Sequence, residues 1–317
     1  LYPSSSTAED PDNEFLELTP TGFKLKTTDG AVNANTATYV YLAIRRSDGY
    51  VGKPASAGTD VFFQNYFADA DDPSLRTSTF AGDFALWKPT QISNEWGAGG
   101  RLTQGKRLET NSNAAETDNS NWQWDFMDGF NEYNNASVQQ IGYMWKRHAG
   151  LDVVAYTGTS ANSIIVNHSL GNVPEMIWIK NRDDTTDWIV GHHGLDGGND
   201  PWTHYLKLNT TDSEGDYDYF MDKPPTATSF EVTTSAVNDT NKKYLAILFR
   251  SVSGISKVGS YDGSNSGQTI TTGFQPKFVI IKCTTDTNDW YVLDTTRGWT
   301  SGNDPNLRLN SNVAQNS

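Results

Sequence analysis

Three stretches decide how this chain is read. Phe84-Ala-Leu-Trp-Lys88 is followed by Asn94-Glu-Trp96, Met176-Ile-Trp-Ile-Lys180 by Thr186-Asp-Trp188, and Phe278-Val-Ile-Ile-Lys282 by Asn288-Asp-Trp290. Each apolar run ends in a lysine, and a tryptophan stands eight residues beyond it. The lysines are 92 and 102 residues apart, and the tryptophans keep the same spacings. Self-similarity at a long period is the signature of a repeat architecture.

A second marker follows each tryptophan: Arg107-Leu-Glu-Thr-Asn-Ser112, Tyr205-Leu-Lys-Leu-Asn-Thr210 and Asn306-Leu-Arg-Leu-Asn-Ser311. The last two are preceded by Gly-Asn-Asp-Pro at 198–201 and 302–305, a turn placed before a strand. A third marker closes a unit. It reads Ile141-Gly-Tyr-Met-Trp-Lys-Arg147 in the first copy. In the second it reads Tyr244-Leu-Ala-Ile-Leu-Phe-Arg250, after Ser229-Phe-Glu-Val-Thr-Thr234 and Ala236-Val-Asn238. The third copy lacks it. A matching set stands at the other end of the chain, in Gly22-Phe-Lys-Leu-Lys-Thr-Thr28, Ala31-Val-Asn33 and Tyr41-Leu-Ala-Ile-Arg-Arg46. The chain therefore divides into a closing half-domain (1–46), a linker (47–59), two complete repeats (60–147 and 152–252) and an opening half-domain (257–317).

Within the second copy, strands are expected at 152–157, 163–167, 175–181, 188–191, 204–209, 229–234 and 243–250. Turn clusters separate them every 8–12 residues or so. The continuous run Met176-Ile-Trp-Ile179 suits a strand covered on both faces, and Phe230-Glu-Val-Thr233 alternates like a half-exposed one. Residues 47–79 read as linker plus a divergent first strand at 60–67. No stretch keeps helical periodicity. The fold class is all-β: tandem β-sandwich, jelly-roll-like repeat domains of about 100 residues.

Composition sets the outer limits. The 317 residues carry 24 Lys+Arg against 38 Asp+Glu, a formal charge of −14 that repels phosphate backbones and disfavours nucleic acid as a partner. No run of 18 apolar residues exists, so no membrane insertion is expected. The single cysteine, Cys283, rules out internal disulfides and a thiolate-rich metal site. Ten Trp, 14 Tyr and 14 Phe suffice for packed cores.

A half-domain cannot bury its own strands. Phe278, Val279, Ile280, Ile281, Trp290 and Val292 would face water, at a cost of several kcal/mol on a scale of about 25 cal/mol per Å2, and the acceptor residues are Phe278, Ile280, Trp290, Val292, Leu307 and Leu309. The front piece offers Phe23, Leu25, Tyr39, Tyr41, Leu42 and Ile44, which need a sheet. Three arrangements join them: closure within one molecule, donation of residues 1–46 to residues 257–317 of the next molecule, or a longer tandem array. The second is β-augmentation, and a head-to-tail contact that does not close propagates as a filament. The expected partner is the chain itself as a homopolymer.

Further segments carry a resemblance. Residues 39–46 leading into Gly49-Tyr-Val-Gly-Lys-Pro54, Phe84–Pro89, Arg101-Leu-Thr-Gln-Gly-Lys-Arg-Leu-Glu-Thr-Asn111, Tyr143-Met-Trp-Lys-Arg147, residues 152–158, Gly254-Ile-Ser-Lys-Val-Gly-Ser260 and Asp289-Trp-Tyr-Val292 are similar to a repeat domain of bacteriophage structural proteins. These are tail-fibre-like or virion-surface proteins, common among phages of aquatic bacteria. The resemblance covers nearly the whole chain and implies an extracellular or virion-associated structural role.

Candidate chemistry is weak beside this. His192 and His193 stand near Asp196, Asp200 and His204, but the third copy has Asp294, Thr295 and Thr296 there, so a polar loop is the better reading than a metal or base site. Asp69, Asp71 and Asp72, and Asp183, Asp184 and Asp187, lack the spacing of an EF-hand loop. No Gly-x-Ser-x-Gly elbow and no phosphate-binding glycine loop occurs. The chain is read as no enzyme, with no cofactor. Trp96, Trp188 and Trp290 read as core plugs; as exposed sugar-stacking platforms they would serve a host-surface glycan or receptor instead. The sequons at Asn135, Asn167, Asn209 and Asn238 matter only if the source glycosylates.

Overall fold

The structure is a computed structural model. It describes residues 16–19, 22–25, 34–35, 55, 57–67, 74–75, 78, 80–132, 138–147, 149–233, 235–264, 266–298 and 304–316. The chain forms two units, Leu1–Pro54 and Ala55–Ser317. Among its described residues the first contains an antiparallel hairpin, β1 (Leu16–Thr19) with β2 (Gly22–Leu25), in which Leu16 lies opposite Leu25.

All three repeat copies fall in the second unit. The first copy contains β3 (Phe62–Phe67), β4 (Ser74–Leu75), β5 (Phe84–Pro89), β6 (Gly97–Gly100), β7 (Lys106–Arg107), β8 (Thr117–Asp118), β9 (Trp122–Gln123), β10 (Phe130–Glu132) and β11 (Gln140–Trp145). Its main sheet has the order β3-β11-β5-β6, and β4-β10-β9 forms a second sheet. A core of Phe80, Ala85, Trp87, Trp122, Trp124, Phe130 and Met144 draws on residues of both sheets. The glycines of β6 answer to this packing. A Cβ on Gly97 would lie 2.1 Å from Trp87 Nε1, and one on Gly99 would lie 2.3 Å from the Trp122 ring.

The second copy contains β12 (Leu151–Thr157), β13 (Ser163–Asn167), β14 (Met176–Asn181), β15 (Ile189–His192), β16 (His204–Lys207), β17 (Gly215–Asp216), β18 (Ser229–Thr233) and β19 (Lys243–Phe249). Each expected strand is present with slightly shifted ends. Six of them form one antiparallel sheet, β12-β19-β14-β15-β16-β17, and β13-β18 makes a second. Phe230 and Val232 of β18 reach the same core as Ile177 and Ile179 of β14. Trp178, on the opposite face of β14, belongs to a different core. The central strand is thus covered on both sides, which is why its sequence does not alternate.

Among its described residues the third copy contains β20 (Phe278–Ile281), β21 (Tyr291–Asp294) and β22 (Leu307–Arg308), in that order. All three copies contribute to one core: Phe84, Leu86, Trp96, Leu108 and Tyr143 from the first, Trp178, Trp188, Leu206 and Ile247 from the second, and Trp290, Val292, Leu307 and Leu309 from the third. The fold is all-β, with several sheets and, among the described residues, only short 3-10 turns between them.

Candidate assembly surface

Each repeated tryptophan is held in the same way. Its backbone N–H donates to the asparagine of the following marker: Trp96 to Asn111 Oδ1 (2.8 Å), Trp188 to Asn209 Oδ1 (2.9 Å) and Trp290 to Asn310 Oδ1 (2.8 Å). Its indole N–H then leaves the copy. Trp188 donates to the carbonyl of Glu109 in the first copy, Trp290 to that of Lys207 in the second, and Trp96 to that of Arg308 in the third. The three acceptors stand two residues before the three asparagines. The contacts form a closed circle.

A second circle runs the other way. Glu116 N donates to Arg182 O, Glu214 N to Thr284 O and Gln315 N to Thr90 O. Each donor lies five residues after a marker asparagine, and each acceptor two residues after a repeated lysine. Every step again joins one copy to the next. Two of the repeated lysines add to it. Lys88 Nζ donates to Asn312 O at 3.0 Å and Lys282 Nζ to Thr211 O at 3.1 Å, while Lys180 stays within its own copy on Asn181 and Asp184. Burial lowers the ammonium of Lys88 to about 8 and that of Lys180 to about 8, and lowers that of Lys282.

This arrangement corrects one expectation. Trp290, Val292, Leu307 and Leu309 do not face water, because the ring supplies the first two copies as their cover. A latch fixes the third copy to the first. Tyr143 Oη donates to Asp294 Oδ2 at 2.6 Å, and Arg297 pairs with the same carboxylate; the side chains of both Arg297 and Asp294 are buried. Burial pushes the Tyr143 phenol well above its ordinary range. Phe278 packs on Phe62, Tyr143 and Trp145 at ring-centroid distances of 5.5, 4.7 and 5.4 Å.

The other expected acceptor residues behave differently. Phe278 and Ile280 are half-buried, as is the whole of β20. In the first copy β5 is flanked by β11, and in the second β14 is flanked by β19. Among the described residues nothing takes that place beside β20. The counterpart of β12, residues 256–262, and the stretch 266–272 that corresponds to β13 form no strand. In the second copy those strands pair with β19 and β18. Tyr261 and Ile270, in the two stretches, are both 49 % exposed. Of the expected donor residues, Leu25 is half-buried and Phe23 lies in β2; Tyr39, Tyr41, Leu42 and Ile44 lie outside the described residues.

Trp96, Trp188 and Trp290 are 0 %, 0 % and 4 % exposed, so none offers a face to a sugar. Among the described residues, no group of three His, Cys, Asp or Glu side chains is placed to hold a metal ion. Asp183, Asp184 and Asp187 each hold a separate partner: Lys243 N, Lys242 and Lys207. Asp69, Asp71 and Asp72 lie outside the described residues. His192 accepts a bond from Gly194 N, and its burial, with His193 beside it, lowers its pKa to about 4.

Sequence reasoning missed the Tyr143–Asp294–Arg297 latch and the carbonyl acceptors of the tryptophans. The latch has no counterpart in the other copies and so leaves no repeated signal. The asparagine of the second marker, present in all three copies, was the signal available for the tryptophan sites.

Neither the curated proteins nor the solved structures include a match to this chain. Residues 91–317, which span all three tryptophan segments, match the family described as Domain of unknown function (DUF7483), and the chain belongs to that family.

Proposed function

We propose that the chain is a non-enzymatic structural subunit of an extracellular or virion-borne fibre, assembled head to tail, with residues 1–46 of one molecule completing residues 257–317 of its neighbour. The observation that carries this reading is the strand position beside β20, filled in the first two copies and, among the described residues, not in the third. A row of unpaired backbone N–H and C=O groups on an edge is a template for another strand. Main-chain hydrogen bonds then supply affinity, and alternate side chains supply specificity. The repeat is read as a jelly-roll-like sandwich, because the first two copies each contribute a large sheet and a smaller one. Three copies close a ring through their tryptophans, which leaves the open sheet of the third as the place for growth. The resemblance to phage fibre and virion-surface repeats supports the location.

Electron microscopy and light scattering of the full chain, beside a variant lacking residues 1–46, test the reading. Filaments are expected from the full chain. The variant should stay monomeric, with the β-type circular dichroism of the Ala55–Ser317 unit intact. Filaments from the shortened chain would sink the mechanism.

A further inference from the structure

The assembly reading leaves open which residues meet. The first two copies supply a template for the answer. Their closing strand is not an edge addition. It lies inside the sheet, β19 between β12 and β14, and β11 between β3 and β5. In both, the residue opposite the repeated lysine enters the shared core: Leu245 opposite Lys180 and Ile141 opposite Lys88. Two residues earlier on the inner strand, Trp178 lies opposite Ile247 and Leu86 opposite Tyr143.

Tyr41-Leu-Ala-Ile44 repeats Tyr244-Leu-Ala-Ile247 residue for residue. We infer that residues 39–46 of a second copy enter the third copy as its central strand, between β20 and residues 256–262, with Leu42 opposite Lys282, Ile44 opposite Ile280 and Tyr41 opposite Cys283. This rests on the assembly reading and specifies its contact.

Two observations support that register and a third supports the encounter. The first is the alternation of a strand, which sends successive side chains to opposite faces. Leu245 and Ile247 enter the core shared by all copies, while Tyr244 and Ala246 enter the second copy's other core. Ile44 then covers Ile280, one of the two half-buried residues beside the shared core, and Arg46 lies opposite Phe278, where Phe249 faces Met176 and Trp145 faces Phe84. A shift by one residue would send Tyr41 and Ala43 inward instead. The second is an aromatic pair. Tyr244 stacks on Tyr156 with centroids 4.9 Å apart and ring planes 11° from parallel. Tyr261 stands in the place of Tyr156, each opening a Tyr-x-Gly turn, and is 49 % exposed. Tyr41 arrives where Tyr244 sits and covers it. The third is charge. Residues 37–46 carry Arg45 and Arg46 and no carboxylate, and they join a chain of net charge −14. A cationic strand lowers the repulsion that two such acidic molecules meet on approach.

Cys283 is the chain's one cysteine, so it reports on the contact directly. Residues facing each other across an antiparallel pair have Cα atoms about 4.5–5.5 Å apart, within disulfide reach. Full-length Tyr41→Cys, oxidised after assembly, is expected to give a ladder of disulfide-linked oligomers on a non-reducing gel. Ala43→Cys, whose position faces Ile281, is expected to give none. Wild-type Cys283 should lose its labelling by a maleimide on assembly. Polymers in which Ala43→Cys cross-links and Tyr41→Cys does not would overturn the register while leaving the assembly reading standing. A Tyr41→Cys bridge found only within single chains would overturn the second copy as the source of the strand. Polymers with no bridge in either variant and Cys283 still labelled would overturn the contact altogether. Filaments from the chain lacking residues 1–46 count against the assembly reading itself.

Discussion

Trp96 in the first copy donates its indole N–H to the carbonyl of Arg308 in the third, at 2.8 Å and across 212 residues of sequence. This bond turns a row of repeats into a ring. A contact between unlike faces of repeated units runs on indefinitely unless rotation brings the last unit back to the first. Here three steps are enough, and the return of Gln315 to Thr90 seals the same junction from the other side. The ring also explains why the shared core needs residues from all three copies.

Trp188→Phe keeps most of the packing but removes the indole donor to the Glu109 carbonyl, which retains a longer bond from Ser112 N; the Arg308 carbonyl likewise retains Ser311 N in Trp96→Phe. Losing one such hydrogen bond costs about 0.5–1.5 kcal/mol. Urea unfolding should show that loss for Trp188→Phe and a similar one for Trp96→Phe, each as one transition, because the copies share a core. A stability equal to wild type would show that the circle of indole bonds contributes nothing.

Gly99→Ala drives a Cβ to 2.3 Å from the Trp122 ring. Trp122 is wedged against Trp87, Trp124 and Phe130, so the ring has little room to retreat. Overpacking of this kind costs about 1–3 kcal/mol. Gly267→Ala, with open space around it, is the control and should melt like wild type. Equal melting temperatures for both variants would refute the packing argument.

Lys180 gives a pH signature. Burial lowers its folded pKa to about 8 from an ordinary 10.5. Between those values the unfolded chain holds more protons, so this group makes stability rise with pH and stops doing so above the unfolded value. Lys88 acts in the same direction. Tyr244, pushed up to about 12, acts oppositely above its unfolded value of 10. Stability measured from pH 7.5 to 9.5 should climb in wild type and climb less in Lys180→Met. Parallel profiles would remove the lysine from the account.

His192 contributes on the acid side. Its folded pKa of about 4 lies below the ordinary 6.5, so its contribution is present above 6.5 and is lost as pH falls toward 4. His192→Asn keeps an acceptor for Gly194 N without the titration. Thermal melts at pH 7 and pH 5 should differ less in the variant than in wild type. An unchanged difference would assign the acid sensitivity elsewhere.

The sequence was most legible where local chemistry and periodicity agree. Turn clusters and apolar runs were sufficient for an all-β chain and for most strands between residues 151 and 249. A strand's period and its turns are local properties, and they survive without knowledge of the partner. Tertiary structure alone decided where the apolar faces went. Trp290, Val292, Leu307 and Leu309 read as an open half-domain, yet the ring buries them. Burial depends on which surfaces meet, and a backbone carbonyl such as that of Arg308 carries no residue code that could announce it as the partner of Trp96. The same holds for Arg297 and Asp294, whose pairing is settled by the arrival of Tyr143 from a strand 151 residues away.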